Sequence, residues 1–388
     1  MKNLSYINTL LYCYLVALAI SCSSKEDNKD KKNISATLKT IKEIKIPIDK
    51  SVAIYSSTVD YIEEGGRSYI FKTNYNDLLF IDIKDKKIAK RLSFPEQGPN
   101  GVGNISQAYY HANDSVFLLT DPYHIIHVNS KLEKVNNYRL DANTEAGQRG
   151  IYPQNNNKII FYNNSIIGFM HPKVHPNKKA MLLNTEAFVS LNCNTKDAIP
   201  LPLKFPELLQ DPNDTWDFIH FRPTTILVGK QLIVSFPASD SIYLFSLETN
   251  KVKRFSGKSR HYSGKILPLS SNSFKASIDA YKSTHAYFLL KYDKFRKLFY
   301  RFVLFPTEEK TNNYSLENLV LMKPFSVQIF NEKFELIGET EIFKANTFNF
   351  VDCFVSREGL LISNNHPKNP KTNEDFLSYS LFAISKLQ

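Results

Sequence analysis

Residues 105–140 read ISQAYYHANDSVFLLTDPYHIIHVNSKLEKVNNYRL, and their punctuation decides the fold. Four short stretches, 105–112, 115–120, 124–128 and 135–140, are rich in β-branched and aromatic residues. Asn-Asp, Asp-Pro-Tyr and Asn-Ser-Lys breaks separate them. The first kind of residue fits a pleated, half-buried surface, and Asn, Asp and Pro interrupt it. The spacing predicts four antiparallel strands joined by tight turns.

The pattern recurs along the chain. Its second half reappears in LLFIDIKDKKIAKRLSF (78–94), FVSLNCNTKDAIPLPLKF (188–205), IYLFSLETNKVKRFSG (242–257) and FSVQIFNEKFELIGETEI (325–342). A further copy begins at YSLFAISK (379–386). The equivalent turn positions are Asp82, Asn129, Asn192, Ser246, Asn331 and Ile384, at gaps of 47, 63, 54, 85 and 53 residues. Such spacings, each holding four short strands, are those of propeller blades. No segment beyond the N-terminus carries a long helical period, which argues against an α/β enzyme. The expectation is an all-β, six-bladed β-propeller of four-stranded blades. The alternating stretch ATLKTIKEIKIPI (36–48) completes the last blade and closes the ring, which also covers an exposed strand edge.

Composition narrows the function classes. Of 388 residues 43% are hydrophobic and 22% charged, enough for a large core. The formal net charge is +11, but only ten of the 49 basic residues are Arg, and Lys is spread throughout. No basic block is interleaved with aromatics, so no nucleic-acid partner is expected. Four cysteines, Cys13, Cys22, Cys193 and Cys353, give neither a disulfide framework nor a CxxC pair.

The N-terminus gives an address. Lys2 precedes an apolar run, Leu10 to Ile20, too short to span a bilayer, and Ala19-Ile20-Ser21-Cys22 follows as a lipobox. Residues 1–21 are expected to be a lipoprotein signal peptide, and residues 22–34 a lipidated Cys22 with a flexible, charged tether. The propeller domain then occupies 35–388. Lys25-Glu26-Asp27 resembles the export signal that sends Bacteroidetes lipoproteins across the outer membrane. The expected location is the outer membrane, anchored by lipid and displayed at the cell surface.

Blade topology sorts the loops. Turns inside hairpins are short, whereas connectors such as 95–104, 171–187, 206–218 and 257–273 are long and gather on one face, the usual place for recognition. Trp216, the only tryptophan, stands there with His220 and Arg222, and Arg260-His261-Tyr262 forms a second polar cluster. An aromatic plane beside Arg and His suits a sugar or a carboxylate, and the expected ligand is a small molecule, a glycan or a peptide. The alternative is that Trp216 plugs the gap between blades. Asp293, Arg296 and Arg301 in YDKFRKLFYRFVLFP (292–306) read as structural: Asp293 holds Arg296 across a turn, and Arg301 ties neighbouring blades. There is no GxSxG, no HExxH and no phosphate-loop lysine, so no catalytic residue, metal or cofactor is assigned.

The lipobox, QGPNGVG (97–103) followed by NDSVFLL and HIIHVN, and YDKFRKLFYRFVLFP together resemble a family of Bacteroidetes lipoproteins of unknown function. The resemblance implies a TolB-like six-bladed propeller and an envelope location, and carries no activity. The resulting expectation is a binding protein that meets a ligand or an envelope partner through the long-loop face. The alternative is a propeller hydrolase or lyase working in the central funnel.

Overall fold

The computed structural model describes residues 36–386 apart from 57, 113, 114, 122, 123, 140–148, 152–157, 173–184, 212, 217, 263, 265, 272 and 309–315. The expected signal peptide and tether, with Cys22, Lys25, Glu26 and Asp27, lie outside the described residues.

Strand β1 (Ala36–Pro47) opens the described chain. Three four-stranded antiparallel sheets follow the repeat closely. They are β2 (Val59–Glu64) to β5 (Lys87–Ser93), through β3 (Arg67–Asn74) and β4 (Asp77–Asp82); β6 (Gln107–Ala112) to β9 (Lys134–Arg139), through β7 (Ser115–Asp121) and β8 (His124–Val128); and β15 (Thr224–Val228) to β18 (Val252–Ser256), through β16 (Gln231–Ser235) and β17 (Ser241–Ser246). A fourth sheet runs β10 (Arg149–Ile151), β12 (Ser165–Pro172), β13 (Glu186–Asn192), β14 (Ala198–Lys204), with β11 (Ile160–Tyr162) on the other end of β12. Neighbouring sheets pack face to face. Phe71 and Phe80 meet Ala108, Val116 and Leu118, and Ile70 and Leu79 meet Phe354 and Tyr379.

The repeat has a physical cause. At five of the six turn positions a short polar side chain accepts from the backbone N–H groups that follow it. Asp82 Oδ1 takes Lys84 and Asp85, Asn129 Oδ1 takes Lys131 and Glu133, and Asn192 Oδ1 takes Asn194 and Thr195. Ser246 Oγ takes Thr249, and Asn331 Oδ1 takes Lys333 and Glu335. These side chains imitate a backbone turn and fix the last hairpin of each unit.

The sixth position breaks the rule, and with it the expectation of six separate, TolB-like blades. Ile384 lies at no turn but inside an eleven-residue strand, β25 (Phe376–Lys386). The remaining strands are β19 (Ala286–Asp293), β20 (Leu298–Leu304), β21 (Phe325–Phe330), β22 (Leu336–Glu339), β23 (Asn349–Val355) and β24 (Leu360–Ser363). With β1 and β25 they form one continuous eight-stranded sheet, ordered β19-β20-β21-β22-β1-β25-β24-β23. The six-bladed reading is therefore corrected. The fold is a propeller-like arrangement of four self-contained blades with four strands in line, and the remaining described strands form a single broader sheet.

β1 is the splice. It pairs antiparallel with β25 from Ala36–Lys386 to Pro47–Phe376, and its start also bridges β22 in parallel at Ala36–Gly338. The pairing with β25 is the one expected of residues 36–48, but the bridge to β22 makes β1 part of the broad sheet instead of the edge of a separate last blade. Gly338 permits the approach, because a Cβ there would lie 2.1 Å from the Ala36 carbonyl oxygen. Replacing Gly338 with Val should push β1 off β22 at a cost of about 1–3 kcal/mol. Amide hydrogen exchange would then show faster exchange at the start of β1. Unchanged protection there would mean that the contact does not hold the splice together.

Candidate functional site: an axial cavity

Six strands, β2, β6, β11, β15, β19 and β23, contribute to the wall of a cavity of about 280 Å³. Asp60 and Tyr61 come from β2, Tyr109 from β6, Lys158 and Ile159 from the approach to β11, and Thr225 from β15. Lys291 comes from β19 and Val355 from β23. Most of the wall is apolar, so its charged groups are conspicuous.

Lys158 Nζ donates to Asp60 Oδ2 at 2.7 Å and to the Val59 carbonyl at 3.2 Å. Both side chains keep some access to the cavity, 47% for Asp60 and 22% for Lys158. Burial alone would raise Asp60, yet Lys158 and then Lys291 outweigh it and hold the carboxyl below its ordinary range. Burial is also the largest influence on Lys158 and lowers its ammonium. Asp60 opposes that shift and Lys291 adds to it. Burial, then the Asp60 charge, raises the Tyr109 hydroxyl. Cys353, enclosed beside this group, has its thiol pushed up to about 11 by burial, which makes it a poor nucleophile at neutral pH.

The lysine in β3 has a different role. Lys72 is fully enclosed, 3.9 Å from Asp352 Oδ2, and donates to the Ile54 carbonyl at 3.4 Å. Tyr379 donates to the other Asp352 oxygen at 3.1 Å. Burial lowers Lys72 and raises Asp352. This pair is buried and lines neither the axial cavity nor the one beside Tyr262.

The rim is built from hairpin turns. Glu63 takes Lys294 at 3.6 Å and pairs with Arg357, while the Tyr61 ring meets Phe295 edge-on at 6.0 Å. Below it, Asp293 is fully buried. Its Oδ1 accepts from the Phe295 and Arg296 N–H groups, and its Oδ2 from Arg296 Nη1 and the Tyr300 hydroxyl, all at 3.0 Å. Arg296 also donates to the Arg357 carbonyl at 2.6 Å. Arg301 is fully buried and reaches from β20 to the β16–β17 turn, donating to the Ser239 and Asp240 carbonyls at 2.6 Å and to Ser235 Oγ at 2.8 Å.

The residues expected to bind on the long-loop face are brought together only in part. Trp216 is 2% exposed and packs edge-on against His220, 5.6 Å away, inside the core shared by β12, β13, β16 and β17. His220 and Arg222 are buried as well. Arg260 is tied to the edge of β22, its N–H to Glu339 at 2.9 Å and its guanidinium to Glu341 at 2.7 Å, and His261 Nε2 contacts the Thr340 carbonyl at 2.8 Å. Tyr262 turns away from them and packs on His285, ring centroids 3.6 Å apart, beside a second cavity of about 330 Å³. The axial residues went unnoticed in the sequence because Asp60, Lys158 and Lys291 stand far apart. The one available signal was a charge interrupting an apolar run, as Lys291 does in AYFLLKYD. Among the described residues no three His, Cys, Asp or Glu side chains converge to hold a metal.

Comparisons with known proteins now place the chain. A crystal structure of a DUF4221 member from Bacteroides vulgatus superposes with a TM-score of 0.81 at 24% identity, over 92% of this chain and 100% of that one. A putative exported protein from Bacteroides fragilis matches more distantly, with a TM-score of 0.56 at 11% identity, over 92% and 97% of the two chains. Both likenesses concern the fold alone. No curated protein matches the sequence. The profile of the family described as Domain of unknown function (DUF4221) matches residues 33–341, most of the chain. The chain belongs to the DUF4221 family.

Proposed function

We propose that this protein is a lipid-anchored binding protein of the outer membrane that takes a small ligand into its axial cavity without transforming it. The observation that carries the reading is the cavity itself, a partly open, mostly apolar recess into which several sheets place a few polar groups. Its one carboxylate, Asp60, is engaged by Lys158, and its neighbouring thiol is held protonated, which favours binding over acid–base or nucleophilic chemistry. The address rests on the lipobox at Cys22, with Lys25-Glu26-Asp27 as the export label. A fold relative described as a putative exported protein is in keeping with export.

A second reading is recognition on the long-loop face, favoured by one observation. His285 is 4% exposed, and its Nδ1 has no hydrogen-bond partner among the described residues, although it borders the cavity beside Tyr262.

One experiment addresses the anchor and one the cavity. In cell fractionation the full chain should sediment with membranes, and Cys22→Ser should release it to the soluble fraction. A wild-type protein that stays soluble would end the anchoring idea. Protease treatment of whole cells should cut it, and survival while known surface proteins are cut would exclude outward display. For the cavity, thermal-shift screening of small metabolites against full-length Cys22→Ser should give hits that Ile226→Trp, which fills the wall at β15, abolishes. Hits that persist in Ile226→Trp and vanish in Tyr262→Ala would move the site to the long-loop face.

A further inference from the structure

We infer that the axial cavity takes a small organic anion, whose carboxylate or phosphate seats between Lys158 and Lys291. This inference rests on the axial binding reading and specifies its ligand. Three lysines, Lys158, Lys291 and Lys294, line the cavity with one carboxylate, Asp60; Lys294 is drawn to Glu63 at the rim, 3.6 Å away, and Lys158 and Lys291 leave the interior with an excess of positive charge. Asp60 is satisfied by Lys158 at 2.7 Å, and Lys291 has no ion-pair partner of its own among the described residues. Lys158 lies within reach of the Lys291 charge, which pushes its ammonium downward. An uncompensated positive charge beside another cation in a recessed, apolar-walled space is unfavourable unless a counter-charge enters.

A second, independent feature points the same way. Thr225 is 4% exposed and lines the cavity from β15, and its hydroxyl has no hydrogen-bond partner among the described residues. A buried hydroxyl without a partner is costly, and a bound acceptor removes that cost. Two cations and a neutral donor form a recognisable anion seat, with the Tyr109 hydroxyl as a further donor on the same wall. The apolar wall from Ile226 and Leu290 then meets the carbon body of the ligand. The lining thus favours an organic anion over a bare inorganic one.

The test is calorimetric titration of the full chain bearing Cys22→Ser with inorganic phosphate, succinate and neutral dimethyl succinate. Succinate should bind, phosphate should compete with it more weakly, and the neutral ester should not bind. Lys291→Met should weaken succinate about tenfold or more, Lys291→Arg should stay within a few-fold of the parent, and rising salt should weaken binding. Thr225→Val should weaken it less. Succinate affinity unchanged in Lys291→Met would overturn the inference. So would tight binding of the ester that Ile226→Trp abolishes, although the cavity reading would then survive. Ligands found only at the Tyr262 cavity would overturn both.

Discussion

Replacing Arg301 with methionine should destabilise the protein by about 4 kcal/mol. The guanidinium donates to Ser235 Oγ, to the Asp240 and Ser239 carbonyls, and at 3.5 Å to the Gly257 and Ser241 carbonyls. It lies over the Tyr287 ring, 3.9 Å from the centroid. Burial pulls its pKa down to about 10, so it remains a cation at neutral pH. Methionine fills similar space but donates nothing. A buried acceptor left alone costs about 1–3 kcal/mol, and a desolvated cation–π contact contributes about 2. Asp240 retains the Gly257 N–H at 3.0 Å, which moderates the loss. Arg301→Lys should recover less than half, because one compact ammonium cannot span acceptors arranged around a planar fork. Urea unfolding measures both variants. A midpoint for Arg301→Met equal to that of the parent would show that the sheets are held by apolar packing alone.

Arg301 also marks what the sequence could reveal. Its role between neighbouring sheets was suggested by a charged residue amid Phe, Tyr and Val in β20, a position where only a paired charge survives burial. The hairpins were legible for a local reason. Asp82, Asn129, Asn192 and Asn331 each satisfy backbone N–H groups within four residues, so the turn is written where it occurs. Ile384 cannot do this, and the strand runs straight through it. The fusion of the broad sheet was not legible, because it depends on one long-range contact, Ala36 against Gly338, admitted by a missing Cβ. The axial site was hidden for a related reason. Lys72 and Lys291 look alike in sequence, each a lysine within an apolar strand. Only the fold shows that Lys72 meets Asp352 in the core while Lys291 faces the cavity.

Acid should expose His285 as a stability switch. Burial is the main cause, and the charges of Lys323, Arg301 and His220 add to it, so the imidazole is pushed down to about 3 from an ordinary 6.5. The Tyr262 and Tyr287 rings enclose it and supply no counter-charge. The unfolded chain therefore takes up a proton near pH 6.5, whereas the folded protein refuses it until near pH 3. Stability from this group is complete above about pH 6.5 and declines as pH falls through that window. By pH 4 the loss is roughly 3 kcal/mol. Carboxylates held low, such as Asp82 with the Asp85 and Lys84 N–H groups, also lose stability in acid, so the difference between two proteins is the informative quantity. Urea unfolding of the parent and of His285→Gln at pH 7, 5.5 and 4 supplies it. Glutamine keeps a polar planar group beside Tyr262 without a titrating nitrogen. The variant should be less stable at pH 7, through lost packing, and should fall more gently with acid, by roughly 3 kcal/mol less at pH 4. Parallel acid limbs for the two proteins would mean that folded His285 takes up its proton over the same pH range as the unfolded chain, so that its burial does not oppose the charge.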